Sequence, residues 1–385
     1  MSTIVVAGAL ANKPGSGGEA WVRLSWTLGL RRLGFDVWFV EQIAASTCSD
    51  AGGRPAAFAD SVNRAFFRRI TATYGLLGRA TLLCDNGEVE GVPLVTLGDV
   101  LAGADLLVNI SGHLTDRRLL QTTRRRAFVD IDPGFTQIWH ARGVADDLLR
   151  HHDSHFTIAE NIARPGCRIP TLGLRWQTTR QPVVLDDWPV VPAAASDRFT
   201  SVATWRGLYG PLEHNGVRYD QKLHQFRRFL ELPGKTRARF ELALDIDPAE
   251  TPDLEALDRQ GWQLSDPRAV AGDPESFREY VQGSGAEFST AQGVYVDTRS
   301  GWFSDRTARY LASGRPALVQ DTGFARTLPV GVGLVSFRTF PEAIAGVEAI
   351  LSDHASHSVA ARSIAEAYFD SDHVLGRFLD GACAT

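Results

Sequence analysis

The side chains best placed to do chemistry gather in a few short stretches. Ser304, Asp305, Arg306 and Thr307 open a helical pattern that stops at Gly314, and Pro316 opens a strand after it. A helix N-terminus concentrates unsatisfied N–H groups and about half a unit of positive charge. That suits a pyrophosphate, and Arg306 adds a mobile cation. Downstream, Asp321-Thr322-Gly323-Phe324 turns out of an apolar strand and offers backbone amides that complete a phosphate cradle. In the first half, Ser111-Gly112-His113 and Asp130-Ile131-Asp132-Pro133-Gly134 each follow an apolar run. His113 and Asp132 both have the chemistry of a general base. Glu160-Asn161 is a third polar tip of this kind. His151-His152-Asp153 cannot easily converge on one ion, so no metal site is expected.

These stretches must be held by regular elements. Strands are expected at 3–7, 36–40, 80–84, 105–110, 127–131 and 155–159, with helical patterns between them, which is the alternation of a parallel α/β sheet. The first helix carries Trp21, Leu24, Leu28 and Leu33 at helical spacing up to Gly34. Pro182, Pro189, Pro192 and the run Ala193-Ala194-Ala195-Ser196 mark a linker at 181–197. A second series follows, with strands at 199–204, 239–244, 262–265, 286–290, 316–320 and 333–337 and helices near 219–230, 254–259, 275–282 and 305–312. The domains are therefore set at 1–180 and 198–370, and a last helix at 371–385 crosses back to the first.

Size and composition agree with two domains. The chain has 385 residues, and single cores stop growing before that length. Hydrophobic residues at 44% and charged residues at 22% leave no room for long disorder. A net charge of -5 gives no general pull toward nucleic acid, and Arg124-Arg125-Arg126 reads as a solvated helix end. No apolar run approaches the ~20 residues of a spanning helix, and the start of the chain lacks the pattern of a signal peptide. Cys48, Cys84, Cys167 and Cys383 form no CxxC pair and read as reduced thiols, so a cytoplasmic setting is expected.

The stretch from Ser304 to Phe324, with its small-residue-Gly-x-Pro turn, and the following Gly331-Val332-Gly333-Leu334-Val335, Glu342-Ala343-Ile344 and terminal helix pair resemble GT-B glycosyltransferases, as a divergent member of the glycogen-synthase-like group. In motif the resemblance covers about the last 85 residues. It implies two Rossmann-like domains facing each other across a cleft, with the second binding a nucleotide-diphosphate sugar and the first a small-molecule, natural-product or glycan acceptor. It implies transfer of a hexosyl or deoxyhexosyl group without a metal. Arg206 and Lys222 are then expected against the donor diphosphate, Arg206 foremost, because Lys222 shares its helix with His224, Arg227 and Arg228. Gly17 and Gly18 of the turn Gly15-Ser16-Gly17-Gly18 are expected beside the donor, Glu160 and Asn161 beside the acceptor, and His113 or Asp132 as base. The segment 43–60 is an acceptor loop. The chain departs from the family's acidic pair: Gly301 and Arg309 stand there, leaving Asp305 to supply the carboxylate. A non-catalytic nucleotide-sugar binder and a sugar-nucleotide epimerase are the rival readings. The lack of GxGxxG after either first strand argues against a NAD-dependent dehydrogenase.

Overall fold

The computed structural model describes residues 2–144, 146–192, 196–207 and 209–383. The run Ala193-Ala194-Ala195 of the expected linker lies outside them, as do 384–385 of the helix expected at 371–385.

Strands β1 (Thr3–Ala7), β2 (Asp36–Ile43), β3 (Ala80–Cys84), β4 (Val89–Gly91), β5 (Leu106–Ile110), β6 (Arg126–Asp130), β7 (Ser154–Thr157) and β8 (Trp176–Thr178) form one sheet in the order 4-3-2-1-5-6-7-8. All neighbours are parallel except β3 and β4. The central strands are buried on both faces, as expected of a parallel sheet covered by helices. A second, all-parallel sheet contains β9 (Arg198–Thr204), β12 (Arg239–Asp245), β13 (Gln263–Ser265), β14 (Ala286–Ser289), β15 (Ala317–Gln320) and β16 (Leu334–Phe337), in the order 13-12-9-14-15-16. Between β9 and β12 the chain makes a hairpin, β10 (Leu212–His214) with β11 (Val217–Tyr219), turning at Asn215-Gly216. The sequence pattern suggests helix from Tyr219 onward. The helix instead starts at Lys222, because Tyr219 is paired with Leu212.

The two sheets put the carboxyl ends of their strands, and hence their loops, toward a shared cleft. Helix Ser371–Cys383 returns to the first domain, where Phe378 packs against Trp26 and Phe156, and Val183 bridges to Asp370.

The domains share buried surface. A single hydrophobic cluster holds Ile4, Trp21 and Trp188 together with Phe277, Tyr310 and Leu311 from the second half. Trp21 Nε1 donates to the Pro274 carbonyl at 2.8 Å, and Arg309, fully buried, donates to Ser25 Oγ at 3.2 Å and to Asp305 Oδ2 at 2.7 Å. On the far flank Asn161 Nδ2 donates to the Arg299 and Gly323 carbonyls. Gly17 starts the first helix directly under the second domain: a Cβ there would lie 2.0 Å from the Asp273 carbonyl oxygen. We expect Gly17→Ala to cost about 1–3 kcal/mol through this overlap. Gly98→Ala, with open space around it, is the control and leaves stability unchanged or slightly raised. Urea unfolding midpoints of the two variants check the contrast, and equal midpoints contradict it.

No described helix is long and apolar enough to cross a membrane.

Candidate functional site

A cleft of about 1080 Å³ runs between the domains. Its second-domain wall comes from the ends of β9, β12 and β13, the loop Thr290–Gln292 after β14, and the start of helix Asp305–Ala312. Ser304 caps that helix in extended conformation, but its side chain makes no capping bond, so the first amides of the helix are left without a side-chain acceptor. Arg306 lies beside them. Its three nitrogens bond Glu287 Oε1 (2.7 Å), the Val202 carbonyl (2.7 Å) and Ser289 Oγ (2.6 Å), so the charge is fixed by its neighbours and is not the mobile cation expected from sequence.

Lys222 faces the same space and makes no hydrogen bond or ion pair among the described residues. Burial, with repulsion from Arg306, pushes its ammonium down to about 7. The structure thereby inverts the ranking of the two cations. Arg206 points outward, 56% exposed and paired with Glu250, although Thr204 and Gly207 on either side of it line the cleft.

The opposite wall comes from the first domain. Buried Glu41 on β2 accepts the amides of Leu10, Ala11 and Asn12 at 2.7–2.8 Å and so fixes the loop that carries Lys13 to Ser16 into the cleft. Burial pushes Glu41 up to about 7 even against these three donors. Glu19, one turn into the helix, pairs with Arg23 and Lys13. Burial opposes its ionisation, yet the two cations hold it near 2. Asp130 is fully buried and saturated by Thr136, Gln137 and Thr157, each at 2.7 Å, and by the Asp132 amide. This network locks the loop that projects Asp132. Burial first, then the Glu19 charge, raises Asp132 to about 6. His113 follows two left-handed residues, Ser111 and Gly112, and also lines the cleft. Burial and the nearby Arg23 and Lys13 push it down to about 3, so it is a neutral imidazole.

The cleft thus brings together His113, Asp132, Gly18, Lys222, Ser304, Asp305 and Arg306. Other expected residues lie elsewhere, each for a visible reason. Gly17 is consumed by the approach to Asp273. Thr307 is buried beneath the helix start. Asp321 pairs with Arg338 and accepts the Gly323 amide at 2.8 Å, so that turn has spent the donor it was expected to offer. Thr322 donates to the Trp302 carbonyl, and Gly323, at φ 99°, packs on Asn161. Glu160 pairs with Arg180 and accepts from Thr327 Oγ1. Glu160 and Asn161 therefore tie the domains together instead of reaching an acceptor. Asp305 lines the cleft, but Arg309 holds one of its oxygens.

From sequence, Trp21, Trp139 and Trp302 are rings that can stack on a sugar or an aglycone, with packing the favoured role. Trp21 is buried in the core, Trp302 lines the cleft, and the wall beside Asp132 that includes Tyr295 and Tyr209 is not legible there. Tyr295 stacks on Trp302 (4.3 Å, 18°) and donates to Asp132 Oδ1 at 3.4 Å, while Tyr209 meets Phe135 at 4.9 Å and Trp139 at 4.6 Å. Trp139 and Trp302 stand out as aromatics in the sequence, but nothing there shows that they converge from different domains.

No protein-family model matches the chain, and a search of curated proteins finds no significant match. Solved structures do match it over their whole length. A sucrose-phosphate synthase from Thermosynechococcus elongatus aligns with a TM-score of 0.56 at 12% identity, covering 100% of both chains. HepE from Anabaena, in complex with UDP-glucose, gives 0.59 at 11% identity over 100% of both. The pneumococcal O-GlcNAc transferase GtfA, in complex with UDP and GlcNAc, gives 0.56 at 10% identity over 99% of this chain and 98% of that one. The chain has the GT-B fold, two Rossmann-like domains facing each other across a cleft.

Proposed function

We propose that this protein is a glycosyltransferase that moves a hexosyl or deoxyhexosyl group from a nucleotide-diphosphate sugar to a hydroxyl of a small-molecule or glycan acceptor, without a metal ion. One observation carries the reading: an unpartnered ammonium, Lys222, and the uncapped start of helix Asp305–Ala312 share one wall of the cleft, and the carboxyl of Asp132 stands on the other. HepE was solved in complex with UDP-glucose and GtfA in complex with UDP and GlcNAc, which supports the same ligand class here.

The chemistry follows from the placement. The bond between the sugar's anomeric carbon and the diphosphate oxygen breaks, and the departing oxygen gains negative charge. Lys222, Arg306 and the helix amides are fixed donors that stabilise this charge. The acceptor oxygen bonds to the anomeric carbon, and its proton passes to Asp132. His113 is too weak a base for that step, because its conjugate acid loses its proton near 3. Its neutral ring serves as a hydrogen-bonding contact. A transfer of this kind inverts the anomeric centre. The four free cysteines suit a reducing, cytoplasmic setting.

The test is a thermal-shift screen of the purified chain against UDP, dTDP, GDP, ADP and NAD(P). We expect one nucleoside diphosphate to raise the melting temperature and the nicotinamide cofactors to leave it unchanged. A response to NAD(P) alone overturns the proposal.

A further inference from the structure

Tyr295, Trp302, Tyr209 and Phe135 build a wall of rings beside Asp132 in the cleft, and the domains contribute to it jointly. Phe135 belongs to the first domain and the other three to the second. Tyr295 and Phe135 are buried, so they form the back of the wall. Trp302 and Tyr209 are half-buried and lie toward the cleft. The wall is rigidly placed. The Trp302 amide donates to Ser300 Oγ at 3.1 Å, its carbonyl accepts from Thr322, and its ring lies on Tyr295. The Tyr295 hydroxyl reaches Asp132, so the carboxyl that takes the proton is held by a residue of the wall itself.

From this arrangement we infer that the acceptor is a planar phenol, whose ring stacks against Trp302 and Tyr209 while its hydroxyl meets Asp132. The inference rests on the transferase reading and names its acceptor class. The open ring faces favour a phenol over a sugar, since the wall itself carries few hydrogen-bonding groups. Tyr295 has committed its hydroxyl, and the rings that remain open to the cleft offer one phenol, on Tyr209, and one indole N–H, on Trp302. A polyhydroxylated acceptor has to turn its hydroxyls away from this wall, toward the polar side chains that line the rest of the cleft, Lys13, Ser16, His113 and Gln292 among them, and leaves the ring faces unused. A flat ring with one reacting hydroxyl loses little and gains about 0.5–1.5 kcal/mol per ring pair beyond the area buried. Base strength points the same way. Asp132, near 6, is closer to a phenol at about 10 than to a water-like hydroxyl near 16.

Calorimetric titration of the full chain with 4-methylumbelliferone and with glucose, each without nucleotide and again with UDP, tests the inference. The coumarin is expected to bind and glucose to bind more weakly. Trp302→Ala should weaken the coumarin about tenfold, and Trp302→Phe should restore most of the loss. The UDP affinity of all three proteins should agree, which shows that the variants are folded. Absence of coumarin binding, tighter binding of glucose, or an unchanged affinity in Trp302→Ala overturns the phenol inference. Loss of UDP binding by the wild type with coumarin binding intact instead overturns the donor reading, so the two failures are separable.

Discussion

Lys222→Met is expected to weaken nucleoside-diphosphate binding by about 10- to 100-fold, the range for losing one charge-assisted contact. The pH dependence is the sharper readout. Burial and Arg306 hold the free ammonium near 7. A bound diphosphate supplies the missing counter-charge and raises that value. Affinity is then full below about pH 7, where the free protein is already protonated at Lys222. It falls as pH rises from there toward the raised value of the complex, because binding must draw a proton from solution. Methionine keeps the length and apolar contacts of the stem but carries no proton, so the variant's affinity should lose this decline. UDP titrations from pH 6 to 9 compare the two proteins. A wild-type affinity that is flat across this range removes Lys222 from the phosphate site.

Asp132→Asn is expected to lower kcat by about 10²–10⁴-fold, the usual contribution of a positioned base. Asparagine keeps the shape and can still accept from Tyr295, so the fold and the UDP affinity should hold. With Asp132 near 6, wild-type turnover should rise with pH through about 6 and level off above it, since only the ionised carboxylate takes the proton. The residual activity of the variant should lack this acid limb. Turnover within twofold of wild type, or an acid limb that survives in the variant, excludes Asp132 as the base.

Legibility in the sequence followed what each signal depends on. The strands 80–84 and 106–110 are buried on both faces, and their apolar runs announce them. Helix Asp305–Ala312 is bounded by Ser304 and Gly314, so its ends are written locally, and the part of the site built on it was readable. In the sequence Lys222 ranks below Arg206 because its neighbours His224, Arg227 and Arg228 suggest a solvated helix. That helix is only five residues long, and the hairpin before it turns Lys222 inward while its neighbours face away. A pairing partner supplied by another strand leaves no mark on helical periodicity. Glu160, Asn161 and Gly17 depart from expectation for a different reason. Polar tips and glycines at strand ends have the same composition whether they meet a ligand or the other domain, and only the fold distinguishes them. Glu41 does carry a signal: a carboxylate inside the strand Asp36–Ile43, directly after the apolar run 37–40, has to find donors inside the protein.

The cluster that runs from Ile4 through Trp21 to Phe277 and Tyr310 bears on how this chain can be taken apart. Enzymes of two modules invite recombination, with a donor half grafted onto a foreign acceptor half at the linker. Cutting here at 181–197 strips Trp21 and Phe277 of their cover, leaves Arg309 without Ser25, and separates Tyr295 from Asp132. Each fragment is then a sticky, incomplete body instead of a portable cassette. The halves must be inherited, exchanged and redesigned as one piece.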